Sequence, residues 1–166
     1  MSFNLENIPS QKGKIAIVTG ANSGLGKEIT IGLAKKEIKV IMACRNQSKA
    51  ESAKAEIVAK VNSADIEIIL LNLNSLKSVR NFSATFLAKY DRLDLLIENA
   101  GIMIPPLSKT EDGFESQMAV NYFSHFLLTK LLYPILNKTE GARIATTSSL
   151  AHERGRIDFD NLNAEK

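Results

Sequence analysis

Short apolar runs alternate along the chain with longer stretches in which apolar residues recur every three or four positions. The short runs are typical of strands buried on both faces of a sheet, and the longer stretches are typical of amphipathic helices. The predicted strands cover 14–19, Lys39–Ala43, Ile66–Leu71, Leu93–Ile97 and Ala142–Thr147. The predicted helices cover 24–36, 47–60, 75–90 and 114–136, and the polar tail at 150–166 is expected to be irregular.

The alternation of strands and helices predicts βαβ units with right-handed crossovers, and therefore an α/β fold on a doubly wound parallel sheet. We expect about five strands in the order 3-2-1-4-5, with helices on both faces and a ligand crevice between strands one and four. The chain of 166 residues fits a single domain over 1–166, and no linker, repeat or low-complexity tract divides it.

The composition narrows the class of protein. The hydrophobic fraction of 45% is ordinary for a globular domain, and the net charge of +3 arises from scattered basic residues, which do not suggest a nucleic acid partner. No secretory signal and no apolar run long enough to span a membrane is present. The single cysteine, Cys44, excludes an internal disulfide and gives no support to a metal site. We therefore predict a reducing, cytoplasmic location.

A glycine pattern follows the first strand, where residues 19–26 read Thr-Gly-Ala-Asn-Ser-Gly-Leu-Gly. Between a buried strand and a helix, such glycines allow a tight turn, close approach to a pyrophosphate and helix–strand packing. The alternative is a glycine-rich turn without a ligand, whereas a P-loop is excluded because no Gly-Lys-Ser/Thr follows. The predicted cofactor-binding residues in this segment are Thr19, Gly20, Asn22, Ser23, Gly24, Leu25 and Gly26.

The end of the second strand bears on which dinucleotide is preferred. A site for NAD usually places an acidic residue here, but this chain has Cys44, Arg45 and Asn46. Because an arginine can pair with a 2′-phosphate, we predict that NADP(H) is favoured over NAD(H) and that Arg45 and Asn46 contact it. The alternative is that Arg45 is a solvated loop residue and that Cys44 is a small buried side chain.

The Thr-Gly-x-x-x-Gly-x-Gly spacing resembles that of the short-chain dehydrogenase/reductase family, whose fold is of the Rossmann type. The segment Glu98–Gly101 is similar to the family's Asn-Asn-Ala-Gly, with Glu98 replacing the first asparagine. The segments 40–45 and 148–159 resemble the retinol dehydrogenase-like branch, which is also similar to the WW-domain oxidoreductase and to protochlorophyllide reductase.

The resemblance implies further site residues. Asn72 and Leu73 would lie against the adenine, Asn99, Ala100 and Gly101 would line the cofactor, and the Ser149 hydroxyl would polarise the substrate oxygen. Asn121 would hold a proton-relay water, and each of these polar residues has the alternative of being an ordinary turn or helix position. His125, four positions further on, is a candidate general base, but we favour the interpretation that it makes a local hydrogen bond on the helix face.

One family element is absent from these residues, namely the catalytic Tyr-x-x-x-Lys. None of Tyr90, Tyr122 and Tyr133 is followed by lysine four positions later, so we expect an amino-terminal portion that stops before that motif. The resemblance implies an NADP(H)-dependent oxidoreductase acting on a small, rather apolar alcohol or carbonyl. The alternative is a non-catalytic dinucleotide-binding or interaction module. In the family the helix that corresponds to 114–136 often builds a dimer interface, so the resemblance implies a homo-oligomer or aggregation through it. In a chain that ends here, that apolar helix would lose its covering and strand five would be an exposed edge.

Overall fold

The computed structural model describes residues 4–163 and 165. Its centre is a five-stranded, all-parallel sheet in the order β3-β2-β1-β4-β5, which confirms the predicted fold class and strand order. The strands are β1 (Ile15–Thr19), β2 (Lys39–Cys44), β3 (Ile66–Leu70), β4 (Leu95–Glu98) and β5 (Arg143–Thr146).

Helices cover both faces of this sheet. They are α1 (Gly24–Lys35), α2 (Gln47–Lys60), α3 (Leu76–Lys89), α4 (Ser116–Met118) and α5 (Ser124–Lys138). A π-helical segment, Ala119–Phe123, joins α4 to α5, and short 3₁₀ turns lie at Leu5–Asn7 and Leu150–Glu153. The helix predicted over 114–136 corresponds to the continuous helical stretch 116–138, which is made of α4, the π-helical segment and α5. That helix begins after Glu115, whose carboxylate accepts the N–H groups of Gln117 and Met118, and it changes its winding at 119–123.

The core is divided by the sheet into two layers. All five residues of β1 are buried, and successive side chains enter opposite layers: Ile17 packs with α3 and α5, and Val18 packs with α1 and α2. This alternation is the geometry expected of a strand with both faces covered. It holds the carboxyl end of β1, where the glycine turn begins, in a fixed position.

The edge of the sheet formed by β5 is much less covered than the central strands. All four residues of β5 are exposed, and α5 and the π-helical segment expose Tyr122, Phe126 and Tyr133 by more than half of their surfaces. An exposed edge strand and an uncovered apolar helix face are what the sequence led us to expect. Within the described residues, no helix is long and apolar enough to cross a lipid bilayer.

Candidate cofactor and active site

An open cleft of about 460 Å³ lies at the carboxyl ends of β1, β2, β3 and β4. This is the edge of a doubly wound sheet at which ligands bind, beside the point where the strand order reverses. The cleft is lined by Gly20, Asn22, Ser23, Leu25, Ala43, Cys44, Arg45, Leu71, Asn72, Leu73, Asn74, Asn99, Ala100, Gly101, Ile102 and Val120.

Two glycines determine how closely the backbone segments of the cleft approach each other. Gly20 has φ of +68°, and a Cβ there would lie 3.1 Å from the Cα of Ala100. A Cβ on Gly26 would lie 2.4 Å from the carbonyl oxygen of Gly20 and 2.6 Å from Nδ2 of Asn99. Because backbone atoms cannot move aside as a flexible side chain can, only glycine fits position 26 in this arrangement.

The N-terminus of α1 opens beside this cleft without a side-chain cap. Ser23 occupies the capping position, but its hydroxyl makes no hydrogen bond to the helix. The carbonyl of Ser23 accepts the N–H of Lys27 at 3.2 Å, so the N–H groups of the first turn have no intrahelical partner. Together with the positive end of the helix dipole, these groups form a site suited to a phosphate.

Thr19 lies beneath the cleft and joins β1 to the segment that follows β4. Its buried hydroxyl oxygen accepts the backbone N–H groups of Asn99 and Ala100, each at 2.9 Å. The side-chain amide of Asn99 donates to the carbonyl of Thr19 at 3.0 Å. These bonds hold the segment 99–101 against the glycine turn, which is how the two halves of the cleft meet.

Glu98 replaces an asparagine of the family pattern, and the structure shows what its carboxylate does. It is 5% exposed, and it accepts the hydroxyl groups of Thr129 at 2.6 Å and Thr146 at 2.8 Å. The carboxylate therefore ties β4 to both α5 and β5. Hydrogen bonds to both oxygens offset part of the cost of burying this group.

The carboxyl end of β2 contributes Cys44 and Arg45 to the cleft lining. Burial raises the pKa of the Cys44 thiol to about 11, so it is uncharged at neutral pH and inert as a nucleophile. The exposed Arg45 side chain lies beside it at the cleft mouth. Asn46 is not among the lining residues, and its side-chain oxygen accepts the N–H of Lys49 at 2.9 Å and so caps α2.

Asn72, after β3, lines the cleft together with Leu73. Its side-chain oxygen accepts the N–H of Asn74 at 3.1 Å, and its backbone N–H donates to the hydroxyl of Ser78 at 2.9 Å. An amide oxygen has two lone pairs, so one remains for a donor in the cleft. The local turn and an acceptor role toward a ligand are therefore compatible.

Asn121 lies in the π-helical segment, at the edge of the cleft. Its side-chain oxygen accepts the N–H of Ile102 and its amide donates to the carbonyl of Ile102, both at 2.9 Å. Ser149 lies beyond β5, where its hydroxyl accepts the N–H of Ala151 at 3.2 Å and caps a 3₁₀ turn. Ser149 is not among the residues that line the cleft.

The structure brings together ten of the predicted site residues as lining: Gly20, Asn22, Ser23, Leu25, Arg45, Asn72, Leu73, Asn99, Ala100 and Gly101. Thr19, Gly24, Gly26, Asn46, Asn121 and Ser149 lie outside the lining. The sequence analysis missed Ala43, Cys44, Leu71, Asn74, Ile102 and Val120 as lining residues. Most of these residues are sequence neighbours of a predicted site residue at the end of a strand, and that position could have identified them.

Known proteins support this interpretation of the cleft. The family described as short chain dehydrogenase matches residues 14–166. Retinol dehydrogenase 11 of Mus musculus is 48% identical over 154 residues, which are 93% of this chain and 49% of that protein. Polyprenol dehydrogenase of Danio rerio is 41% identical over 165 residues, which are 97% of this chain and 51% of that protein.

Solved structures give the same picture. A Mycobacterium paratuberculosis protein superposes with a TM-score of 0.83 at 38% identity, over 99% of this chain and 57% of that one. An Escherichia coli CFT073 protein, described as a short chain dehydrogenase complexed with NADPH, has a TM-score of 0.75 at 27% identity, over 87% of this chain and 62% of that one. The chain spans about half the length of the curated relatives it matches. It belongs to the short-chain dehydrogenase/reductase family and is similar to its retinol dehydrogenases.

Proposed function

We propose that this chain is the cofactor-binding part of an NADP(H)-dependent oxidoreductase that transfers hydride between nicotinamide and an alcohol or carbonyl carbon. The observation that carries the proposal is the uncapped N-terminus of α1, which opens beside a glycine turn that has no room for a Cβ at Gly26. The fit is chemical as well as steric, since free N–H groups at a helix N-terminus suit a pyrophosphate.

Each part of the dinucleotide has residues of the right chemistry in the cleft. The first turn of α1 would bind the pyrophosphate, and Asn72 would accept a hydrogen bond from the adenine amino group through its remaining lone pair. The segment Ala100–Gly101, whose side chains are small, would lie against the nicotinamide half of the cofactor. When bound, the cofactor supplies or accepts the hydride, and the protein contributes binding and orientation.

Arg45 is proposed to select the 2′-phosphate. It follows the final residue of β2, lines the cleft, and stands where an acidic residue would repel that phosphate. Two structural neighbours support this preference by analogy: the Escherichia coli protein was solved with NADPH, and a Shigella flexneri protein was solved with NADP.

Asn121 and Ser149 are proposed to act on the substrate side in the complete protein. Both hydrogen-bonding ends of the Asn121 side chain are fixed by Ile102, which leaves one amide hydrogen and one lone pair to hold a water. The Ser149 hydroxyl would donate to the substrate oxygen. A proton-transferring group contributes about 10²–10⁴-fold. This chain contains no Tyr-x-x-x-Lys, so we expect it to bind cofactor with little turnover by itself.

The substrate is proposed to be an apolar alcohol or carbonyl. Retinol and polyprenol dehydrogenases are among the relatives, and retinol and polyprenol are apolar alcohols. The loop that follows Ile102 of the cleft exposes three large apolar side chains, Met103, Ile104 and Leu107, each by 70% or more. Exposed apolar groups beside a cofactor cleft favour an apolar partner.

A non-catalytic dinucleotide-binding or interaction module is the second candidate function, favoured by the position of Ser149 outside the cleft lining. Measuring NADPH consumption with an apolar aldehyde separates the two in the complete protein, because a module would bind the cofactor there without oxidising it, whereas this chain alone is expected to show little turnover in either case. Cytoplasmic location and self-association through 114–136 stay predictions, and the exposed Tyr122, Phe126 and Tyr133 support the second of these.

The test is a calorimetric titration of the chain with NADPH and with NADH. We expect NADPH to bind at least about tenfold more tightly, which corresponds to roughly 1.4 kcal/mol. Arg45→Ala should abolish this difference, because it removes the cation that pairs with the 2′-phosphate. Arg80→Ala, which removes an exposed arginine of α3 outside the cleft lining, should preserve it. Equal affinities for the two cofactors in the unmodified chain would contradict the role of Arg45.

A further inference from the structure

His125 of α5 is a buried histidine that the proposed function does not use. It is 4% exposed, and its Nε2 lies 3.1 Å from the hydroxyl oxygen of Thr19. Its Nδ1 lies 3.4 Å from the carbonyl oxygen of Asn121. The imidazole therefore stands between the residue that organises the base of the cleft and the segment that carries Asn121.

The hydrogen-bonding capacity of Thr19 indicates the protonation state of this imidazole. A hydroxyl has two lone pairs and one proton, and both lone pairs of Thr19 are taken by the N–H groups of Asn99 and Ala100. The proton must then be donated, and Nε2 of His125 at 3.1 Å is a nearer acceptor than the carbonyl of Ile97 at 3.5 Å. An accepting Nε2 requires a neutral ring whose proton is on Nδ1, where the carbonyl of Asn121 can accept it.

We propose that neutral His125 is a positioning residue for the cofactor cleft, and that its protonation weakens dinucleotide binding. A protonated ring would direct an N–H from Nε2 at a hydroxyl oxygen whose lone pairs are already used. Thr19 would then have to release Asn99 or Ala100, and the segment 99–101 would lose its fixed distance from the glycine turn. The test of this proposal by cofactor affinity rests on the proposed function, namely that the cleft binds NADP(H).

The electrostatic environment agrees with a neutral ring near pH 7. Burial lowers the pKa of His125 below its ordinary value of 6.5, and the negative charge of Glu98 on β4 opposes this in part. Among the described residues, the groups that hydrogen-bond the ring are uncharged: β1 presents the hydroxyl of Thr19, and the preceding helical segment presents the carbonyls of Val120 and Asn121. Because the pKa is lowered, the neutral form still prevails at pH 6.5 and is lost only as the pH falls below the lowered pKa.

The test compares NADP⁺ affinity at pH 7.5 and at a pH at which nuclear magnetic resonance shows the His125 ring to be protonated, in the unmodified chain and in His125→Gln, His125→Leu and His152→Gln. The Gln oxygen can accept the Thr19 proton but does not titrate, so its affinity should match the unmodified chain at pH 7.5. Leu provides no acceptor, so affinity should fall about fivefold at pH 7.5. His152, the other histidine, is exposed and provides the control.

Below the pH at which the His125 ring becomes protonated, the unmodified chain and His152→Gln should bind more weakly than His125→Gln, by up to about tenfold per further pH unit. The 2′-phosphate itself titrates near pH 6, so the difference from His125→Gln is the quantity that reports His125. Identical pH profiles for the unmodified chain and His125→Gln would overturn the inference.

Nuclear magnetic resonance of the imidazole nitrogens tests the same inference without cofactor. We expect the neutral form protonated at Nδ1 at pH 7, and a ring protonated at Nε2, or at both nitrogens, would overturn it. If the unmodified chain shows this tautomer and yet fails to bind NADP⁺, the proposed function fails while the assignment of His125 stands.

Discussion

The N-termini of α1 and α3 differ although both helices follow a serine in an extended conformation. Ser75 accepts the N–H of Ser78 at 3.2 Å and so caps α3, and α2 is capped in the same way by Asn46. Ser23 makes no such bond to α1. The residue type at the cap is therefore insufficient to tell whether a helix satisfies its own N–H groups or leaves them for a ligand.

The backbone after each serine explains the difference. Gly24, the first residue of α1, has φ of +51°, outside the right-handed region in which a capping hydroxyl reaches the second or third N–H of a helix. A side chain at Gly24 would be strained, so this opening geometry depends on glycine. The helix that faces the cleft thus forgoes a cap worth about 1 kcal/mol. We infer that the missing cap leaves these N–H groups available to bind a phosphate.

The largest effect is expected from closing the glycine turn. Gly26→Ala would place a methyl group 2.4 Å from the carbonyl oxygen of Gly20, so the turn must move. We expect NADPH affinity to fall at least about 100-fold, since roughly 3 kcal/mol is an ordinary penalty for overpacking. Calorimetric titration measures the change.

Gly32→Ala is the matched control in the same helix. Among the described residues outside its own helix, the nearest atom to its added Cβ would be in the Leu5 side chain at 4.0 Å, which is ordinary van der Waals contact. Alanine in a helix interior is also more favourable than glycine by up to about 1 kcal/mol. We therefore expect a slightly raised melting temperature and unchanged affinity. Equal losses of affinity in both variants would show that the effect is general to α1 and not specific to the turn.

A smaller effect is expected when a negative charge is placed at the N-terminus of α1. In Ser23→Asp, a carboxylate at the helix N-terminus gains about 0.3–1 kcal/mol from the dipole and repels a bound pyrophosphate. We expect an unchanged or slightly raised free energy of unfolding, with NADPH affinity lowered about tenfold or more. Urea unfolding and titration measure the two quantities. A variant that binds NADPH as tightly as the unmodified chain would contradict the assignment of the phosphate to this helix.

Removing the cap of α3 should lower the free energy of unfolding and have the smallest effect on NADPH affinity, which is the reverse of the result expected for Ser23→Asp. Ser75→Ala loses the bond to the N–H of Ser78 and leaves the carboxylate of Glu111 without its hydroxyl donor. We expect the free energy of unfolding to fall by about 0.5–2 kcal/mol, with NADPH affinity unchanged. A loss of affinity comparable to that of Ser23→Asp would mean that capping, and not the cleft, governs binding.

The sheet and the glycine turn were predictable because their signals are local. The fully buried run Ile15–Val18 and the glycines that follow it identify a strand, a turn and a helix within a dozen positions of one another. Strand order followed from the alternation of elements together with the dinucleotide-binding glycine pattern, for which the order 3-2-1-4-5 is typical. The identity of each residue in these segments was sufficient without knowledge of distant contacts.

The remaining features depend on residues far apart in the chain. Periodicity over 114–136 gives the same apolar pattern whether or not one turn is π-helical, so the change of winding at Ala119–Phe123 was not visible. His125 and Thr19 are 106 positions apart, and Glu98 meets Thr146 only because β4 and β5 pair. Whether Ser149 faces the cleft likewise depends on how the chain leaves β5.

The most direct test of the cofactor site is amide hydrogen exchange, residue by residue, with and without saturating NADPH. We predict that the N–H groups of Gly24, Leu25 and Gly26 exchange rapidly in the free chain, because they have no intrahelical partner, and slowly once NADPH is bound. The N–H groups of Lys49 and Ser78, which have side-chain acceptors already, should change much less. Equal changes at all three helix N-termini, or none at α1, would contradict the claim that α1 was left open for the pyrophosphate.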